Sequence, residues 1–116
     1  ADRFAKRMDG RRPTDVQAGV YASLMHYLKS VASTKSTNAD QVVADMKKTP
    51  TNDALFGKGR IRADGRVIHD MYVMKVKSPA ASKGPWDYFE VVSTIPAEQA
   101  FRPESQGGCP LVTASK

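Results

Sequence analysis

From Thr14 to Ala32 apolar residues recur at three- and four-residue intervals: Val20, Tyr21, Leu24, Met25, Leu28, Val31 and Ala32. This period predicts a helix of several turns with one wide apolar stripe, and a stripe of that width has to pack against something. Thr14 and Gln17 stand at capping-box spacing, where hydroxyl and side-chain amide satisfy the helix's first orphan N–H groups. After the polar linker 33–37, Asn38 and Gln41 repeat the cap-like spacing ahead of a shorter helix. Val42, Val43 and Met46 are expected to face inward, and Lys47 and Lys48 complement the helix dipole at its C-terminal end. Pro50 cannot continue the ladder and ends it. Two amphipathic helices thus come before any strand pattern, with no sheet upstream in this sequence to cover.

From Leu55 the pattern changes. Gly57 to Arg62 runs into Ala63-Asp64-Gly65-Arg66, and Asp-Gly between extended segments predicts a hairpin in which both central residues take positive φ. Ile68, Tyr72, Met74 and Val76 then alternate with Val67, His69, Met71 and Val73. This reads as one strand of about ten residues, apolar on both faces and so covered on both sides. The segment 78–85 reads as an exposed loop, 86–95 as another strand, and 96–101 as a single helical turn. The remainder, through Lys116, reads as irregular.

At the other end, Phe4 and Met8 are already at helical spacing, and residues 1–9 read as the last turns of a helix closed by Gly10. The expectation is that sequence upstream is missing. The stretch lacks the layout of an export signal, which under that expectation says nothing about location.

The net charge of +6 comes from 18 basic and 12 acidic residues. Basic side chains crowd the start (Arg3, Lys6, Arg7, Arg11, Arg12) and recur at Lys58, Arg60, Arg62 and Arg66. One reading is a small freestanding basic domain that binds nucleic acid or another polyanion. The reading preferred is a set of solvated faces and turn flanks, because no aromatic residues interleave as stacking platforms. No nucleic-acid partner is therefore expected. No apolar run approaches the roughly 20 residues that cross a bilayer.

The inventory for catalysis is thin. His26 lies off the apolar stripe, and His69 and Asp70 are neighbours in a strand, where adjacent side chains point to opposite faces. The carboxylates show no metal-ligand spacing. Gly57-Lys58-Gly59 lacks the Gly-Lys-Ser/Thr and the following helix of a phosphate loop. Neither enzymatic activity nor a cofactor is expected. The single cysteine, Cys109, cannot form an internal disulfide; it is either a free thiol or half of a bridge to sequence that is absent. Tyr21, Tyr27, Tyr72, Trp86, Tyr88 and Phe89 could line an apolar site or simply pack.

Taken in order, several segments resemble the C-terminal third of the extracellular ligand-binding receptors, the type I periplasmic binding proteins of branched-chain amino-acid ABC transporters. These are Phe4 to Met8, Pro13 with Gln17 to Ser23 and Leu28 to Val31, Asp40 to Met46, Phe56 to Gly65, and Tyr72 to Lys77. The hairpin segment Phe56 to Gly65 is the most specific. The resemblance implies an α/β fold, represented here by two helices, a β-hairpin with a long strand, a further strand and an irregular tail. It implies that residues 1–116 are one C-terminal fragment of a two-lobed binding protein, helical over 1–54 and strand-bearing over 55–116. It implies a periplasmic substrate-binding component that delivers a small hydrophobic amino acid or aromatic carboxylate to a membrane permease. The segment entering the long helix can reach the ligand cleft in such a protein, which nominates Val16 and Gln17, with Tyr21 third. A partner cysteine upstream of Cys109 would suit an oxidising periplasm. The fragment is expected to cover its stripes with the rest of its parent chain or with a second copy of itself.

Overall fold

The computed structural model describes residues 1–113. A short helix α1 (Asp2–Ala5) unwinds through turns to Gly10, whose N–H donates to the Ala5 carbonyl at 2.9 Å. Gly10 takes φ +81°, a left-handed value that suits glycine. The expected terminal helix is therefore one turn long. Helix α2 (Asp15–Thr34) follows, and its capping box forms as its sequence predicts. Gln17 Oε1 accepts from the Thr14 N–H at 2.9 Å, and Thr14 Oγ1 accepts from the Val16 N–H at 3.3 Å. Helix α3 (Ala39–Lys48) is capped by Asn38, whose Oδ1 accepts from the Gln41 N–H at 3.2 Å.

Strands β1 (Thr51–Asp53), β2 (Gly57–Ile61) and β3 (Val67–His69) form an antiparallel sheet with β2 at its centre. Asp53 Oδ1 accepts from the Leu55 and Phe56 N–H groups at 2.7 and 2.8 Å, and this turn sets the β1–β2 connection. At the Asp-Gly turn only Gly65 has positive φ. The Gly65 N–H donates to the Arg62 carbonyl and the Arg62 N–H to the Arg66 carbonyl, both at 2.9 Å. The loop is thus one residue longer than a two-residue turn, with glycine alone in the left-handed position.

The expected ten-residue strand is broken at Asp70. β3 ends at His69, and β4 (Met71–Val76) belongs to a separate two-stranded ribbon with β5 (Phe89–Ile95). Asp70 turns away to cap the next helix, α4 (Ala97–Ala100): its Oδ1 accepts the Ala97 N–H at 3.0 Å. The ribbon has a bulge at Val92, between the Val73–Ser93 and Met74–Val91 pairs. Every residue of β4 is exposed, so along this half of the expected strand the described residues provide no cover on either face. Beyond α4 the tail is less irregular than its composition suggests, with a 3-10 turn at Glu104–Gln106 and a helix α5 (Pro110–Thr113).

α2 packs on α3, and α3 on the sheet. The buried apolar side chains between them are Val42 of α3 and Ile68 of β3. Val43, expected inward, is exposed, and Lys47 reaches across to donate from Nζ to the Ala63 carbonyl at 2.8 Å. The face that α2 buries is the small, polar one: His26 is 8% exposed and Ser30 1%, while Val20 is 63% and Leu24 53% exposed. The stripe predicted to pack thus faces outward.

The whole chain reflects this. Its accessible surface is 9168 Å² at 12.7 kDa, against about 6200 Å² for a compact monomer of that mass. Its radius of gyration is 17.6 Å, where a compact chain of this length would have about 13 Å.

Candidate functional site

The approach to α2 is the best-constructed surface feature near the nominated residues. Arg12 folds the connector back onto α1 through an ion pair with Asp2 at 2.8 Å. The capping box then holds Gln17 at the helix entrance. The Thr14 hydroxyl also donates to Gln17 Oε1, at 2.6 Å, so the amide oxygen is committed and the amide NH₂ points its donors elsewhere. Between α1 and α2 lies a hollow of about 370 Å³ lined by Arg3, Phe4, Arg7, Gln17, Tyr21 and Leu55 among others. It brings together two of the three nominated residues. Val16 does not line it and stands 66% exposed on the first turn of α2.

Arg3 and Arg7 are the functional candidates that the sequence reading passed over, having assigned them to solvated faces. Both line the hollow, Arg3 from α1 and Arg7 from the turn that follows it. Neither has an ion-pair partner among the described residues. Arg11, Arg66 and Arg102 likewise have none among the described residues, whereas Arg12, Arg60 and Arg62 are paired. Arg60 meets Glu98 at 3.1 Å, and Arg62 grips Asp64 with Nε and Nη2 at 3.3 and 2.5 Å. The Asp64 carboxyl is consequently held below the usual carboxylate range, first by the Arg62 hydrogen bond and then by the Arg66 N–H. The hydrogen bond to Asp64 in turn raises Arg62. The basic residues are therefore interrupted by local acids rather than gathered into one continuous stripe.

Two other hollows exist. One, of about 380 Å³, lies between α2 and the three-stranded sheet and includes His26, Met46, Phe56 and His69. His69 packs against Phe56 and Phe101, with ring centroids 5.1 and 5.9 Å away, and its Nδ1 donates to the Asp70 carbonyl at 2.8 Å. The other, open and about 820 Å³, is bordered by Arg62, Arg66, Phe101, Arg102 and Cys109. Cys109 is half-buried and carries a free thiol. Among the described residues no three His, Cys, Asp or Glu side chains are grouped to hold a metal ion. No described helix is long and apolar enough to cross a membrane.

The sequence profile of the periplasmic binding proteins matches residues 1–85. The chain belongs to the periplasmic binding protein family. A periplasmic binding protein from Burkholderia mallei is 47% identical and superposes over 96% of this chain with a TM-score of 0.88. A branched-chain amino acid ABC transporter periplasmic ligand-binding protein from Burkholderia xenovorans LB400 is 41% identical over 96% of the chain, with a TM-score of 0.87. An amino acid ABC transporter substrate-binding protein from Pseudomonas fluorescens Pf-5 is 27% identical over 92%, with a TM-score of 0.75. The present chain spans 29% of the length of each of the first two and 28% of the third. No curated protein matches it. Members of this periplasmic binding protein family bind small molecules for ABC transporters and reside in the periplasm or outside the cell. The mixed α/β architecture agrees with the fold expected from sequence.

Proposed function

We propose that this chain is the C-terminal part of a two-lobed, periplasmic solute-binding protein that delivers a small hydrophobic amino acid or aromatic carboxylate to an ABC permease. It performs no chemistry on that solute. The observation that carries the reading is the 41% identity, over nearly the whole chain, to a branched-chain amino acid ABC transporter periplasmic ligand-binding protein that is more than three times longer. The outward stripe of α2 and the bare ribbon support it physically. Roughly 25 cal/mol of stabilisation is lost for each Å² of apolar surface left in water, and an absent part of the same protein is the partner that would recover it. Gln17 and Tyr21, beside one hollow at the entrance to α2, are the ligand-contacting residues of this segment; Val16 is the third candidate on the same turn.

The test is to express the complete reading frame and titrate it with branched-chain and aromatic amino acids and aromatic carboxylates, following binding by calorimetry. Saturable binding of one of these classes, weakened by Tyr21→Ala, is expected. A complete protein that binds none of them overturns the proposal.

A further inference from the structure

The chain passes between its helix–sheet body and the β4–β5 ribbon twice, outward through His69-Asp70-Met71 and back through Ile95-Pro96-Ala97. Beyond these crossings the ribbon strands are exposed along their length, save at Ile95. Helix α4, by contrast, belongs to the body: it packs on β3, and its Glu98 meets Arg60 of β2 at 3.1 Å. Asp70 stitches the two crossings together. Its Oδ1 accepts the Ala97 N–H at 3.0 Å, and its own carbonyl accepts from His69 Nδ1 at 2.8 Å. The His69 ring in turn packs against Phe56 and Phe101, so one side of the stitch is fixed to the body. With Pro96 at its N-cap position, α4 has no side-chain cap of its own, and Asp70 supplies the acceptor.

We infer that Asp70 is a positioning residue: it sets the angle at which the ribbon stands off the helix–sheet body, and with it the binding protein's closure on its solute. The inference rests on the two-lobed transport reading above and adds the place where this segment crosses from one lobe to the other. The α2 stripe and the ribbon are exposed surfaces of two bodies joined through these crossings, and each calls for its own cover from the absent sequence. A few residues at the ends of elements are enough to let one body swing against another. Two connections with no bond between them bend separately, whereas the Asp70–Ala97 bond makes them turn together. A ribbon held near one setting is ready to close on a ligand. A loosened one has to be ordered as the ligand binds, which lowers affinity.

The complete binding protein is titrated calorimetrically with L-leucine, L-phenylalanine and benzoate, and the tightest of the three serves as the probe. Asp70→Ala is expected to raise its Kd by about 5-fold, and Asp70→Asn, which keeps an Oδ1 acceptor, to stay within about 2-fold of the unsubstituted protein. Small-angle scattering of the ligand-free alanine variant should give a larger radius of gyration, a change that a merely stabilising bond would not produce in folded protein. Ala97→Pro removes the same bond from the donor side and should match Asp70→Ala. Pro96 already has the extended ψ of 147° that a following proline demands, and proline is tolerated at the first position of a helix. A folded Asp70→Ala protein with unchanged or tighter binding overturns the inference and leaves the transport reading standing. So does an asparagine variant as impaired as the alanine one. If Asp70→Ala does not fold, Ala97→Pro decides by the same criteria. Failure of the unsubstituted protein to bind any of the three removes the transport reading, and this inference with it.

Discussion

His26, on α2, donates from Nε2 to the backbone carbonyl of Met46, on α3, at 3.0 Å. A carbonyl can only accept, so this nitrogen carries the hydrogen. The reason the bond exists lies four residues further on. The Met46 carbonyl would ordinarily receive the N–H of residue 50, and residue 50 is a proline. The histidine therefore supplies what the end of α3 lacks, and it joins the two helices at a buried point. His26→Leu should leave that carbonyl unsatisfied and destabilise the fold by about 1–3 kcal/mol, read from urea unfolding.

Gly59 sits at the centre of the three-stranded sheet, opposite Thr51 on one side and His69 on the other. A Cβ there would lie 2.5 Å from the Ile68 carbonyl oxygen and 2.8 Å from Thr51 Oγ1. The first of these is backbone and cannot rotate away. Gly59→Ala should cost more than about 2 kcal/mol, and Gly59→Val more again. A neighbouring substitution, Gly65→Ala, meets empty space but a φ of +83°, and it should cost about 1–2 kcal/mol through backbone strain alone. The ordering of the three variants in urea midpoint checks the distinction.

Two carboxylates titrate below their usual range in the folded chain. Asp64 is lowered by the Arg62 hydrogen bond, and Asp87 by its hydrogen bond from Lys77 and then by the Lys83 N–H. A depressed folded pKa means that the unfolded chain takes up the proton first as pH falls. The stabilisation is thus fully present above about pH 4, the ordinary carboxylate value, and is lost as pH drops through the lowered folded values. Melting temperature should be flat from pH 7 to pH 5 with respect to these groups and decline below about pH 4. Asp64→Asn/Asp87→Asn should melt lower at pH 7 and show a shallower acid decline.

The outward stripe of α2 makes a prediction for the 116-residue chain on its own. With Val20, Tyr21, Leu24 and Leu28 exposed along one face, it should self-associate at micromolar concentration. Sedimentation velocity should show species larger than 12.7 kDa. Val20→Lys/Leu24→Glu should shift the chain toward monomer. A monomeric unsubstituted chain would contradict this.

The helices, their caps and the hairpin were legible from sequence because each is set by local chemistry. Thr14 with Gln17, Asn38 with Gln41, and Gly65 all act within a few residues of themselves. The break at Asp70 was not legible. Alternating apolar residues run straight through that position, and what interrupts the strand is a contact with Ala97, 27 residues away. The partner of the α2 stripe was also beyond pattern reading: periodicity says that a face must be covered but not by which segment. His26 shows the converse. Its place off the stripe suggested the core's edge or the surface, yet its face is the one that α2 buries. Of the nominated residues, Gln17 and Tyr21 line the hollow at the helix entrance and Val16 does not, because its position on the first turn of α2 leaves it facing away.

The joint at Asp70 constrains the length of the chain more tightly than its composition. Side chains on a strand alternate, so one residue added or removed between His69 and Met71 would invert the ribbon, exchanging Tyr72 and Met74 for Val73 and Lys75 on each surface. The three-stranded sheet would be untouched. Substitutions at this elbow keep the ribbon's two faces as they are, whereas a single-codon insertion or deletion there would present the wrong side of the whole ribbon to whatever it lies against.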